Sequence, residues 1–348
     1  MKFVNLKQLA EGDRLAENIT DSEGRLLLRK GTVLNARLIE GLMRQRIRGV
    51  YIVDVQISAN ENHSNRAGGM NPNVRQAAHT PMDVRSQAVN VLGKVFQQIN
   101  ETGDFDDRPV LAAAKRMTHH VRNNRNPSFN LVESYPEADR LYQHCVNVCF
   151  LAAITANRLG FSDEQIYHLM IGALLHDIGY ALVGAAEHKE EHVIRGYEIL
   201  RKHVNIPVQS KTIVLQHHEK INGTGYPYGK SRKELNPSSQ LCAMANEFDA
   251  YLNRRNEFRL PHEGVEYIMA HADRSYDISV VRAFVSTMEP YPIGTYVRLT
   301  NGLEGTVCNC PSGTPFRPSI LISDSNKTFH LTEHTTVFVD RILPPKTS

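Results

Sequence analysis

The chain has no tryptophan and only five cysteines in 348 residues. Cys145, Cys149, Cys242, Cys308 and Cys310 are too few and too scattered for a disulfide framework, which sets aside the small, disulfide-stapled class. Cys145 and Cys149 lie one helical turn apart on an apolar face and read as small hydrophobes. Cys308-Asn309-Cys310 has no second thiolate pair and is a poor zinc site. Long apolar runs are missing too. No stretch approaches the ~20 residues of a membrane-spanning helix, and the N-terminus, MKFVNLKQLAEGDRL, has no apolar run of signal-peptide length. The expected home is a reducing cytoplasm. Neither sign of charge dominates: 40 Lys and Arg against 37 Asp and Glu leave a formal +3. That is too small to argue for a nucleic-acid partner, and none is expected. Hydrophobic and charged fractions of 41% and 22% are ordinary for a soluble protein. The length allows two or three domains with real cores.

What is present divides along the chain. Residues 1–57 read as a small α+β module. Short strands flank the turn Asp21-Ser22-Glu23-Gly24. Gly31-Thr32-Val33-Leu34 leads into an amphipathic helix with Leu38, Ile39, Leu42 and Met43 on one face, and Val50–Val53 reads as a strand. Residues 58–83 turn polar and form a linker. Residues 84–289 carry helical signals: Val84–Ile99 is amphipathic, and Pro109–Asn123 forms another helix. Pro136 opens a helix that Gly160 closes. Ser162-Asp163-Glu164-Gln165 is a capping box that begins the helix leading to His176. Asn236-Pro237 opens the helix with Asn246 and Asp249. Residues 290–348 change to short strands at Tyr296–Leu299, Gly305–Val307, Ile320–Ile322 and Val337–Val339. Asn301-Gly302 is a hairpin turn there. This predicts a multidomain chain: a central all-α domain, a small N-terminal α+β module and a small C-terminal all-β domain of barrel-like form. No internal repeat is evident.

The chemistry concentrates at two helix ends. One apolar helical stretch ends in His176-Asp177-Ile178-Gly179. Another ends in His217-His218 and runs into Glu219-Lys220-Ile221-Asn222-Gly223-Thr224-Gly225-Tyr226-Pro227. Neutral imidazoles and a carboxylate suit divalent transition metals. A first ligand set is His144, His176, Asp177 and Asn246; a second is His192, His217 and His218. Asp177 has two oxygens with which to bridge two metals. Such a pair acidifies a bridging water and binds phosphoryl oxygens, so no protein nucleophile is needed. Catalysis then centres on His176 and Asp177.

A plainer reading stands beside this one. The chain has 16 histidines, and a single helical histidine is most often a surface or hydrogen-bonded residue. Asp177 alone is an ordinary helix-end residue, and Asn246 an ordinary buried amide. Periodicity favours the site: His144 shares a helix face with Leu141, Val148 and Leu151 and so points inward, where a buried imidazole needs a partner. Adjacent helical residues point about 100° apart. His217 and His218 therefore reach one site only where a helix ends beside it.

His144, His176-Asp177, His192 with Gly196, His217-His218-Glu219, Gly223 and Gly225-Tyr226-Pro227 together resemble the HD-GYP phosphodiesterases. These are helical members of the HD superfamily that hydrolyse cyclic di-GMP. The likeness continues through Ala245-Asn246-Glu247-Phe248-Asp249-Ala250 to Arg255 and Arg259, and spans about residues 130–275. It implies an HD-type helical domain and two divalent metal ions, iron, manganese or another transition metal. His144, His176, Asp177, His192, His217 and His218 would be ligands. Tyr226 would line the substrate pocket, Arg255 and Arg259 would contact phosphate or guanine, and Gly225-Tyr226-Pro227 would also offer a surface to a protein partner. The chain departs from the pattern at five places. Tyr180 stands for a lysine, Asn246 for a metal-binding aspartate, and Asn222 for the aspartate that opens the glycine-rich loop. Arg140 occupies a position where some members use a glutamate for a third metal. The Tyr180–His192 segment is short. Three readings remain: hydrolysis of cyclic di-GMP to pGpG or GMP, a metal- and nucleotide-binding sensor or scaffold without hydrolysis, and a phosphohydrolase with another nucleotide substrate.

Overall fold

A computed structural model describes residues 2–5, 9–15, 19–20, 26–29, 31–44, 49–52, 82–123, 139–183, 190–253, 259–311, 314, 316–325 and 327–343. The chain divides into two compact units, one of residues 1–77, 132–140 and 291–348, the other of 78–131 and 141–290. The expected turn at Asp21–Gly24, most of the linker, Pro136 and Arg255 lie outside the described residues.

In the first unit, strand β1 (Lys2–Asn5) pairs antiparallel with β4 (Gly49–Ile52), and β2 (Ile19–Thr20) with β3 (Leu26–Leu28). Helix α1 (Ala36–Arg44) buries Ile39 and Leu42 against Leu15, Leu34, Val50 and Ile52. The C-terminal strands β5 (Tyr296–Leu299), β6 (Glu304–Asn309), β7 (Ser319–Ile322), β8 (Thr328–His330) and β9 (Val339–Ile342) form one antiparallel sheet in the order β8-β7-β6-β5-β9. Its core is Val297, Leu299, Val307, Ile320, Ile322, Leu331, Val339 and Tyr291. The Asn301-Gly302 turn forms as expected, with Gly302 at φ +86° and its N–H donating to Leu299 O. Two expectations need correction. The last strand begins at Val339, not Val337, because it is there that the backbone pairs with Leu299. The sheet is open, since among the described residues nothing pairs β8 with β9.

The second unit is helical, with no strand among its described residues. Its elements are α2 (Met82–Thr102), α3 (Arg108–Asn123), α4 (Arg140–Arg158), α5 (Asp163–Leu174), α6 (Tyr180–Val183), α7 (Glu191–Leu200), α8 (Val208–Gln216), α9 (Pro237–Leu252), α10 (Pro261–Ala270) and α11 (Ile278–Thr287). Local signals set several ends. Ser162 and Gln165 cap each other reciprocally at the start of α5. Asn236 accepts from Ser238 N ahead of Pro237. Gly160, at φ +80°, ends α4 where a side chain would be strained.

Every residue from Cys145 to Ala156 is buried, so α4 is the central helix. Truncating Phe150 there would cost about 3–5 kcal/mol. Burial pushes the Cys145 and Cys149 thiols up, as expected of packing residues rather than reactive ones. At Gly172 of α5 an added Cβ would sit 2.7 Å from Ile213 Cδ1 and 2.9 Å from Ser210 O. Its absence lets α8 lie close enough to aim its last turn at the end of α5.

Candidate metal centre

Five elements deliver the side chains. His144 comes from the start of α4, His176 and Asp177 from the turn after α5, His192 from the start of α7, and Asn246 and Asp249 from α9. His217 is the C-cap of α8 and His218 follows it. A Cβ at Gly179 would run into the His192 carbonyl, so glycine is what brings α7 onto the turn after Asp177.

The ring orientations are fixed from behind. His176 Nδ1 lies 2.8 Å from Ala173 O, and His217 Nδ1 lies 2.9 Å from Val214 O. A carbonyl only accepts, so each Nδ1 carries the hydrogen and each Nε2 presents a lone pair inward. Asp177 Oδ1 is 3.3 Å from His192 Nε2 and 3.5 Å from His217 Nε2, while Oδ2 is 3.3 Å from His176 Nε2 and 3.8 Å from His144 Nε2. The ligand atoms form two groups that share Asp177, one with His192, His217 and His218, the other with His144 and His176. Each carboxylate oxygen faces one group.

These residues fit a divalent metal. His176 Nε2 is buried without a hydrogen-bond partner, and the His192 and His217 Nε2 atoms approach to 3.2 Å. Acceptor lone pairs crowded around a carboxylate are stabilised by a cation. Burial holds His217 down to about 4, against the pull of Asp177 toward its charged form. Burial, with the charge of His217, also holds His218 well below the usual value. Burial alone would lift Asp177, but the histidines gathered around it, His176 first, outweigh burial and keep the carboxyl well below the usual range. His217 and His218 are therefore neutral imidazoles beside an anion, the protonation state that metals require.

His144 sits differently. Its Nε2 is 2.8 Å from Asn246 Oδ1 and its Nδ1 2.7 Å from Asp249 Oδ2. Burial works against its charge, but the hydrogen bond and charge of Asp249 lift it above the ordinary value.

Two tyrosines brace the second group. Tyr180 stacks on His192 with centroids 4.2 Å apart, and Tyr226 on His218 at 4.5 Å. Burial pushes both phenols up, so both remain hydrogen-bond donors. The loop behind them is tied to the histidines. Tyr226 N donates to His218 O, and buried Glu219 accepts from Tyr228 N at 2.8 Å and Lys230 N at 2.9 Å. Asn222 Oδ1 accepts from Thr224 N and Thr224 Oγ1. An asparagine carbonyl thus makes the turn bond available to an aspartate at this position. Arg259 lies over the Tyr251 ring, 3.9 Å from its centroid.

Residues 141–253 match the family model of the HD domain. The chain is 29% identical over 202 residues to a cyclic di-GMP phosphodiesterase of Pseudomonas aeruginosa, covering 54% of this chain and 49% of the relative. To a cyclic di-GMP phosphodiesterase of Thermotoga maritima it is 28% identical over 174 residues, 45% and 46% of the two chains. The chain thus spans about half the length of these curated relatives. A solved HD-GYP protein of Bdellovibrio bacteriovorus aligns at 18% identity with a TM-score of 0.46, over 81% of this chain and 97% of that one.

The sequence reading left three residues around this site without a role. Asp249 orients His144, and Asn147 Nδ2 donates to Asp249 Oδ1 at 2.9 Å. Arg85 Nη2 donates to Asn147 Oδ1 at 2.5 Å. Asn147 and Asp249 were within reach of sequence reasoning, since each follows a proposed ligand by three residues on the same helix face. Glu219 was quoted in the motif, but its hold on Tyr228 and Lys230 was not foreseen.

Proposed function

We propose that this chain is a metal-dependent phosphodiesterase that hydrolyses a cyclic dinucleotide, cyclic di-GMP first, to pGpG and then GMP. The observation that carries the reading is the division of Asp177, one oxygen toward His144 and His176, the other toward His192 and His217. His144, His176, Asp177 and Asn246 would hold one divalent ion, and Asp177, His192, His217 and His218 a second. Iron or manganese suits this mixture of imidazole and oxygen. When bound, such ions polarise phosphoryl oxygens and acidify water. The protein's own part is to aim the Nε2 lone pairs of His176 and His217, through the carbonyls of Ala173 and Val214. Tyr226, at the mouth beside His218, would meet the substrate with Arg255 and Arg259, whose guanidinium groups suit phosphodiester oxygens. The names of the relatives support the substrate class.

A sensor that binds metal and nucleotide without hydrolysis is the second reading. Tyr180 over His192 favours it, for a neutral phenol replaces a cation where charge would develop. Metal analysis of anaerobically purified protein, followed by a cyclic di-GMP hydrolysis assay with added Mn²⁺ or Fe²⁺, decides between them. Two metals or fewer per chain with pGpG or GMP released supports the enzyme. Metal and nucleotide bound with no product supports the sensor, and no metal overturns both.

A further inference from the structure

Arg85 is 5% exposed and, among the described residues, the only buried lysine or arginine. Burying a guanidinium costs several kcal/mol unless hydrogen bonds compensate. Its position therefore calls for a reason. It lies on α2, outside the HD match at residues 141–253, and it reaches the metal centre through two intermediaries.

The donors and acceptors of that connection admit only one direction. A guanidinium has no acceptor, so the Asn147 atom 2.5 Å from Arg85 Nη2 must be the amide oxygen. The Asn147 amide nitrogen is thereby turned to Asp249, and its Nδ2 donates to Oδ1 at 2.9 Å. Asn253 Nδ2 donates to the same oxygen at 3.1 Å. The other oxygen, Oδ2, faces His144 Nδ1 at 2.7 Å. A carboxylate only accepts, so His144 must carry its hydrogen on Nδ1 and direct Nε2 toward Asn246 and Asp177. His176 and His217 obtain the same tautomer from a main-chain carbonyl in their own preceding turn. His144 obtains it from side chains alone, in a series that starts 59 residues upstream on another helix.

We propose that Arg85 is a positioning residue for the His144 ligand group, acting through Asn147 and Asp249, so that α2 is a functional part of the metal centre. The proposal rests on the metal reading above. It predicts that the two ion sites respond unequally. Loss of Arg85 frees the Asn147 amide to rotate, and the orientation of Asp249 and His144 loosens with it. The His192, His217 and His218 group takes no part in this series and keeps its affinity.

The test is a Co²⁺ titration of the metal-free full-length protein, read by visible absorption, with CD and thermal melting as folding controls. Arg85→Leu should weaken one of two Co²⁺ sites by about 10–100-fold, the scale of loss when a group that orients a metal ligand is removed, and leave the other unchanged. Arg85→Lys, which keeps a donor and the charge, should recover part of the loss and is the variant to read if Arg85→Leu does not fold. The Arg85→Leu, Asn147→Leu pair should be no worse than the more damaging single change, as a serial connection requires. Equal retention of both sites by Arg85→Leu, with only a lowered melting temperature, overturns the positioning role and leaves the metal reading intact. A wild-type chain that takes up no Co²⁺ overturns both.

Discussion

Tyr180 lies flat on His192, with ring centroids 4.2 Å apart and planes 12° from parallel. The HD-GYP pattern that the sequence resembles has a lysine at this position; here a tyrosine ring braces the imidazole instead. An aromatic pair contributes roughly 0.5–1.5 kcal/mol beyond its buried area. Tyr180→Phe should therefore keep metal affinity. Tyr180→Lys should lower affinity up to about tenfold while improving hydrolysis of cyclic di-GMP at saturating metal. Metal titration and steady-state kinetics on both variants check this, and full affinity in Tyr180→Lys would remove the brace.

Asn246→Asp should strengthen the first site. Asn246 is 7% exposed, and its oxygen lies 2.8 Å from His144 Nε2. An anionic oxygen there binds a divalent cation better than an amide does. Metal content after dialysis should rise, with affinity up by about tenfold or more, the scale of changes near a metal shell. Unchanged content in a wild type that is not already saturated would place Asn246 outside the coordination shell.

Acid should destabilise the metal-free protein before it protonates the carboxylates. His217 is held at about 4 in the fold, below an ordinary value of 6.5. A histidine lowered on folding contributes its full stability above 6.5 and loses it as pH falls toward 4. In that window the unfolded chain binds the extra proton. His217 alone should lower the unfolding free energy by about 1.4 kcal/mol per pH unit, and His218, shifted the same way, adds to this. Denaturant unfolding of chelated protein between pH 7 and pH 5 measures the slope. His144, lifted on folding, works against this slope, so a flat profile in a His144→Asn background would show that the His217 and His218 rings are not held neutral.

Glu219→Gln should loosen the loop without unfolding the chain. The carboxylate accepts from two main-chain N–H groups, Tyr228 and Lys230, and hydrogen bonds to a charged group contribute about 1.5–3 kcal/mol each. An amide retains one accepting oxygen and brings a donor that faces an N–H. Hydrogen exchange at Tyr228 and Lys230 should rise while the α4 amides stay protected; equal protection in both variants would count against this role.

Helix ends were legible in the sequence wherever the signal was local. The Ser162–Gln165 box and the Asn236-Pro237 start of α9 are satisfied within three residues, so tertiary packing had little to override. The convergence of these side chains was legible for a related reason: His176-Asp177 and His217-His218 both lie just past the ends of apolar helices. Helix α7 escaped notice because its start carries no side-chain cap, and α10 and α11 went unpredicted beyond the motif-bearing helices. Edge strand β8 is three residues long and has little alternation to read. Arg85 was illegible, because its partner Asn147 lies 62 residues away and nothing local distinguishes it from a surface arginine.

The glycine loop and the histidine pair have no joint between them. A Cβ at Gly225 would collide with the His218 carbonyl and the Glu219 backbone. Tyr226 is bonded to His218 through its main chain and stacked on it through its ring. A loop fastened in this way cannot swing as a separate lid: lifting Tyr226 pulls on the residue that carries His218. On the two-metal proposal, loop opening and release of the His218 ring would share one barrier, and the exchange rate of the ion that ring would hold would be a clock for the motion of the loop.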